Sequence, residues 1–255
     1  MKILQSVLMV CILMVNVACS AQDRKTSPTP PSHDIWDQLT KKHVRADGMV
    51  DYKGFIQDKD ILERYLDLLS NNAPDPDTWS KEERLAYWIN AYNAFTIKLI
   101  IDNYPVESIQ DLHPTLKIPG VNTVWHKKFF KIGGVETSLD EIEHDILRKK
   151  FDEPRIHFAI NCASFSCPPL RKEAYKAEKL NKQLDEMAHR FINDEKRNKI
   201  TPDNPEVSKI FSWFTKDFTK HGSLRAYLNK YSDTKIKEGA DIDYMDYDWR
   251  LNDIK

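Results

Sequence analysis

The sequence predicts an α+β fold, with one buried central helix, several flanking helices and a small, mostly antiparallel sheet. Three observations lead there. From Leu85 to Ile101 apolar residues point in almost every direction around a helix, which places that helix inside the molecule. Two further segments, Asp60 to Ser70 and Tyr175 to Asn193, repeat apolar residues at helical spacing. Short alternating runs and a Gly133-Gly134 turn supply the strands.

The first element is a leader. Lys2 precedes an apolar run from Val7 to Ala18 that closes on Asn16-Val17-Ala18-Cys19-Ser20, the layout of an export signal. It is shorter than the ~20 apolar residues a membrane span needs. Cys19 directly after Ala18 resembles the acylated cysteine of bacterial lipoproteins, although Asn16 stands where that motif has leucine. Cleavage after Ser20 or Ala21 by the ordinary export route is the alternative. The expected product is exported, either membrane-anchored through Cys19 or periplasmic. Residues 20–34 are polar and proline-rich and read as a flexible linker, so folding is expected from residue 35.

Ile35 to Val44 reads as a short helix, Asp51-Tyr52 as a brief strand or turn, and Asp60 to Ser70 as an amphipathic helix ended by Asn71 to Pro74. Ser80 with Glu83 forms the capping box of the central helix, Lys81 to Tyr104. Asn90 and Asn93 share a face near its middle. Buried amides need partners, since an unpaired one costs ~1–3 kcal/mol. They either fix loops against the core or face a site. Phe129 to Glu136 reads as a hairpin. Ser138 and Glu141 cap the next helix, which puts Glu143 on its apolar side and His144 near one edge. A carboxylate on such a face needs a partner or a task. Ile156 to Ile160 alternates like a strand before the loop Asn161 to Leu170. Val207 to Phe214 and Ile242 to Leu251 read as strands, and Ser223 to Tyr231 as a short helix. His126 is expected to be structural, and His189 to face solvent or cap the far end of its helix. Trp213, Phe214, Tyr247 and Trp249 read as core and rim packing.

Composition narrows the function. Lysine plus arginine (38) balances aspartate plus glutamate (39), so no nucleic acid partner is expected. With 7 glycines against 13 prolines and no glycine-rich phosphate motif, no cofactor is implied. The chemistry concentrates in Arg155 to Arg171, where Cys162 and Cys167 follow His157. Four readings stand there. The cysteines form a disulfide, as an oxidising compartment permits. They bind a metal with His157, although zinc sites favour tighter cysteine pairs and no fourth ligand stands out. Cys162 is a nucleophile, with His144 or His157 as base, Glu143 orienting the ring, and Asn90, Asn93 and Asn161 contacting the substrate. Or the loop only packs or binds a partner.

WINAYNAFTI, SLDEIEHDILR, PRIHFAINCASFSCPPL, IFSWFTKDF and YDWRLN occur in this order. Together they resemble the domain of unknown function 547 family, whose members occur in bacteria and, fused to other regions, in plants. The resemblance spans about Trp36 to Asn252 and implies a single α+β domain over 35–255, with no established activity. In outline it is similar to papain-like and transglutaminase-like thiol enzymes, except that those place the thiol at the head of the central helix. The expectation is a cysteine-dependent hydrolase or acyl transferase acting on a peptide or small molecule at the cell envelope. The alternatives are a binding module stapled by Cys162 and Cys167, or a metal-binding protein.

Overall fold

Ser80 fixes where the central helix starts. Its hydroxyl accepts from the Glu83 amide at 3.2 Å, while its own amide donates to the Glu83 carboxylate at 2.7 Å. That reciprocal cap satisfies two amides the first turn would otherwise leave bare. In the computed structural model, which describes residues 23–115 and 122–254, helix α4 then runs from Lys81 to Ile101. From Leu85 onward every residue of it except Lys98 is buried. The expected leader 1–19, including Cys19, lies outside the described residues.

Helices α1 (Asp34–His43), α2 (Tyr52–Gln57) and α3 (Lys59–Asn71) cover one side of α4. The stripe on α3 is Leu62, Tyr65, Leu66 and Leu69, and burying each such side chain is worth roughly 1.5–3 kcal/mol. Trp36 of α1 stacks on Tyr65 with ring centroids 5.8 Å apart. The Tyr87 hydroxyl of α4 donates to the Leu69 carbonyl at 2.6 Å, which ties the two helices at the end of α3.

Strand content is small. Strands β1 (Thr26–Ser27) and β2 (Ala73–Pro74) pair in parallel, and β3 (Phe130–Ile132) with β4 (Val135–Thr137) forms the expected hairpin. Gly133 and Gly134 carry φ values of 59° and 81°, the positive pair that a two-residue hairpin turn requires. A Cβ on Gly133 would also stand 2.7 Å from the Lys25 carbonyl. The N-terminal segment docks there, inside the stretch expected to be a linker. Lys25 donates its amide to the Gly133 carbonyl at 2.8 Å, and Arg24 donates to the Ile132 carbonyl at 2.9 Å.

The chain after the hairpin continues as a π-helix, Glu141–Leu147, and a last α-turn, α5 (Arg148–Lys150). Helix α6 (Leu180–Ile192), then α7 (Ile210–Trp213), α8 (Thr215–Phe218) and α9 (Leu224–Tyr231) form the other flank. Strands β5 (Glu206–Val207) and β6 (Asp243–Tyr244) pair in parallel. The described residues thus make a mostly helical α+β fold with nine α-helices and three two-stranded sheets.

Two expectations need correction. The sheet is not mostly antiparallel, because two of the three strand pairs are parallel. Nor are Ile156 to Ile160 and Val207 to Phe214 strands. The first is a 3₁₀ turn, Pro154–Phe158. All of 156–160 is buried, so its alternation marked no exposed face, and a fully buried run does not declare its period. In the second, Ile210, Phe211, Phe214 and Phe218 lie on one helical face, and packing follows that longer period. No papain-like fold is seen. No helix among the described residues is long and apolar enough to cross a membrane.

Candidate active site

The loop that follows the 3₁₀ turn is held from three sides. Asn93 on α4 accepts the Asn161 amide at 2.8 Å and donates to the Ala159 carbonyl at 2.9 Å. Asn161 in turn accepts the Ala163 amide at 2.9 Å and donates to the Pro168 carbonyl at 2.8 Å, closing the loop on itself. Ala163 sits at φ 61°, a conformation that costs a non-glycine residue and persists because its surroundings fix it. From a second side, buried Arg197 donates to the carbonyls of Cys167 (2.9 Å) and Phe165 (2.7 Å). From the third, the C-terminal segment pairs with the loop. The Phe165 amide donates to the Arg250 carbonyl at 2.8 Å, and the Asn252 amide to the Ala163 carbonyl at 3.2 Å.

That framing presents Cys162 at the wall of a cleft of about 260 Å³. Cys162 and Cys167 are free thiols with sulfurs 2.8 Å apart. The Cys162 amide donates to the Cys167 sulfur at 2.8 Å. The hydroxyls of Ser164 and Tyr247 each lie 3.3 Å from the Cys162 sulfur. Burial pushes the Cys162 thiol up, but hydrogen bonds from Cys167, Ser164 and Tyr247 outweigh it and bring the thiol below its ordinary range. Cys167 moves the other way, raised by burial and then by its neighbour.

His157 shares the cleft and is itself buried. Its Nε2 lies 2.7 Å from an Asp217 carboxylate oxygen, and its ring stacks on Phe214 at 3.9 Å. Arg148 grips the same carboxylate through Nε at 2.6 Å and a second nitrogen at 3.1 Å. Burial alone would raise the Asp217 carboxyl, yet the His157 and Arg148 hydrogen bonds hold it well below the usual range. Burial also lowers His157, with Asp217 only partly opposing. A neutral ring beside an ionised carboxylate donates Nε2–H, which leaves Nδ1 as the basic nitrogen.

The other two candidates from the π-helix also line the cleft. Arg148 donates to His144 Nδ1 at 2.8 Å, so a neutral His144 carries its proton on Nε2, which faces Asp140 at 3.5 Å. The same Asp140 oxygen lies 3.5 Å from Nε2 of His126. Glu143 accepts from the Tyr92 hydroxyl at 3.3 Å. Burial pushes its carboxyl up to about 7 and the Cys162 charge adds to that, against His144, Arg148 and Tyr92. Seven-residue π-helices are rare and cluster at functional sites. Here the wider winding brings Glu143 and His144 to one cleft.

Asn90, Asn93 and Asn161 do not line the cleft. Asn90 accepts the Tyr175 amide at 3.0 Å and donates to its carbonyl at 2.8 Å, and the other two secure the cysteine loop. Asp217, Arg148, Asp140, Tyr92 and Tyr247 do not stand out in the sequence as site residues. Asp217 and Arg148 lie inside the motifs IFSWFTKDF and SLDEIEHDILR, and Tyr247 opens YDWRLN, so motif membership is the available signal. His126, expected to be structural, lies in the cleft wall. His189 pairs with Asp233 at 3.0 Å on the surface. Among the described residues there is no group of three or more histidine, cysteine or acidic side chains able to hold a metal ion.

A free cysteine whose thiol is held below its ordinary range thus shares a cleft with a carboxylate-bound histidine. Residues 76–192 match the family described as protein of unknown function, DUF547, so this chain carries a DUF547 domain. Cys162, His157, Glu143 and His144 fall inside the match, whereas Asp217 and Tyr247 fall outside it. No curated protein matches the chain. No solved structure matches it either.

Proposed function

We propose that this protein is a thiol-dependent acyl transferase or hydrolase acting on a peptide or small-molecule carbonyl. One observation carries the reading. The Cys162 sulfur, held by the Ser164 and Tyr247 hydroxyls, lines the same cleft as His157 and its Asp217 partner. Nucleophile, base and orienting carboxylate form the set that acyl transfer uses on unrelated folds. The Cys162 thiolate attacks the carbonyl, His157 carries the proton to the leaving group, and Asp217 stabilises the imidazolium formed meanwhile. Glu143, still half protonated near pH 7, is suited to donate a proton within the cleft. His157 is preferred over His144 as base because both His144 nitrogens are already committed.

The likeness to papain-type and transglutaminase-type enzymes enters through these groups and not through the fold. Export and anchoring through Cys19 belong to the same proposal and would put the reaction at the cell envelope. The test uses an activated ester such as p-nitrophenyl acetate. A burst of nitrophenolate is expected, with an acetyl group left on the tryptic peptide 156–171. Cys162→Ala should abolish the burst, and Asp217→Asn should slow it by about 10²-fold or more, on the scale of a lost base-orienting carboxylate. A burst of undiminished size in the folded Cys162→Ala variant would sink the proposal.

A further inference from the structure

Cys167 takes no bond-making step in acyl transfer, yet its sulfur lies nearer to the Cys162 sulfur than either hydroxyl does. The two thiols differ in exposure. Both line the cleft, but Cys162 is partly exposed there while Cys167 is only 3% exposed. Their sulfurs stand 2.8 Å apart in the free state, and the bond between disulfide sulfurs is about 2.05 Å. Bond formation therefore needs the sulfurs to close by less than an ångström, inside a loop whose backbone is already held by Asn93, Asn161 and Arg197.

We propose that Cys162 and Cys167 are the attacking and resolving thiols of a thiol–disulfide exchange site that takes small-molecule disulfides. The Cys162 thiolate attacks one sulfur of the incoming disulfide, forms a mixed disulfide and expels one thiolate. Cys167 loses its proton and attacks the Cys162 sulfur, which expels the second thiolate and closes the Cys162–Cys167 bond. The protein dithiol is oxidised by two electrons, the incoming disulfide is reduced to two thiols, and the two cysteine protons leave with them. Exposure sets the order of events, because a disulfide entering the cleft meets Cys162 first. The Tyr247 and Ser164 hydroxyls favour the attacking thiolate. Burial and the neighbouring Cys162 charge keep Cys167 protonated, and the second of these disappears once the mixed disulfide has formed. A cleft of about 260 Å³ suits a small disulfide. This inference requires only the two thiols and is independent of His157 and Asp217. While the disulfide stands, Cys162 has no free sulfur for acyl chemistry.

Trypsin makes the test compact, because cleavage after Arg155 and Arg171 leaves both cysteines on one peptide. Reduced protein is treated with 5,5′-dithiobis(2-nitrobenzoate), digested and weighed. Wild type is expected to give peptide 156–171 two hydrogens lighter with no adduct, returned to the dithiol by dithiothreitol. Cys167→Ser is expected to keep the mixed disulfide on Cys162 and to release only the first thiolate from this peptide. A wild-type peptide that retains an adduct, or that does not react in the folded protein, overturns the proposal whether or not the variant folds. A closed disulfide combined with no ester burst would uphold this inference and reject the acyl-transfer reading.

Discussion

Glu143 is the residue whose environment most alters its behaviour. Its carboxyl accepts from the Tyr92 hydroxyl and shares the cleft with Cys162, and burial lifts its pKa from 4.5 to about 7. Between those values the folded protein holds a proton that the unfolded chain has already lost. Stability from this group is therefore complete below pH 4.5 and is lost as pH rises toward 7. At about 1.4 kcal/mol for each pH unit between the two values, the loss is on the order of 3 kcal/mol. Glu143→Gln is isosteric and cannot ionise. In urea titrations the variant should gain on wild type steadily between pH 5 and pH 7 and hold a constant margin above pH 8. A difference that stays flat across that range would mean that Glu143 is ionised in the fold at all these pH values. His157 behaves as the counterpart. Burial disfavours its charged form while Asp217 stays ionised beside it, so the ring favours its neutral form.

The central helix is the most legible element, because its Ser80–Glu83 cap and all-round apolar surface are local signals. The Gly133-Gly134 hairpin is legible for the same reason, since a two-residue turn with positive φ almost requires glycine. What sequence periodicity misses are the buried short segments. Ile156 to Ile160 has no solvent face to set a period, and the aromatic packing of Phe158 against Phe191, Phe211 and Phe218 decides its shape. Glu143 shows itself through its place on an apolar face, although the helix there is π-wound and a 100° step does not apply. Asp217 cannot be found that way. Its meeting with His157 joins residues 60 apart in sequence, across a segment whose pattern suggests a strand and whose structure is helical. At this scale α4 acts on the site through Asn93. Asn93→Ala would strand the Ala159 carbonyl and the Asn161 amide, both buried, at about 1–3 kcal/mol each. Chemical denaturation should register a loss of roughly 2–5 kcal/mol. A loss under about 1 kcal/mol would show that the loop does not depend on this bridge.

Across the whole molecule, the cysteine loop is where distant parts of the chain meet. The N-terminal half contributes Val50, whose amide donates to the Asn252 carbonyl at 2.9 Å, and Tyr52, whose hydroxyl reaches the Asn252 side chain at 2.7 Å. Asn252 then holds Ala163 and Asn161. Gly48 fits against Pro169, where a Cβ would stand 2.2 Å from the proline Cβ. The same C-terminal segment delivers Tyr247, whose ring packs against Trp213 at 4.8 Å and Trp249 at 4.5 Å along the cleft. The family match over residues 76–192 covers Cys162 and the central helix α4. Of the groups that lower the Cys162 thiol, Cys167 and Ser164 lie inside it and Tyr247 arrives from beyond it. A cysteine surrounded by apolar residues alone would be an inert, raised-pKa thiol, so the state of Cys162 depends on this assembly.

Whether the fold makes Cys162 a reactive thiolate is decided by the pH dependence of its alkylation. The rate of iodoacetamide addition to Cys162, followed on peptide 156–171, should rise with a midpoint clearly below the ~8.5 of a free cysteine. Tyr247→Phe, which removes one of the hydroxyls on the sulfur, should move the midpoint upward. A wild-type midpoint at or above ~8.5, unchanged in Tyr247→Phe, would mean that the fold does not activate this thiol.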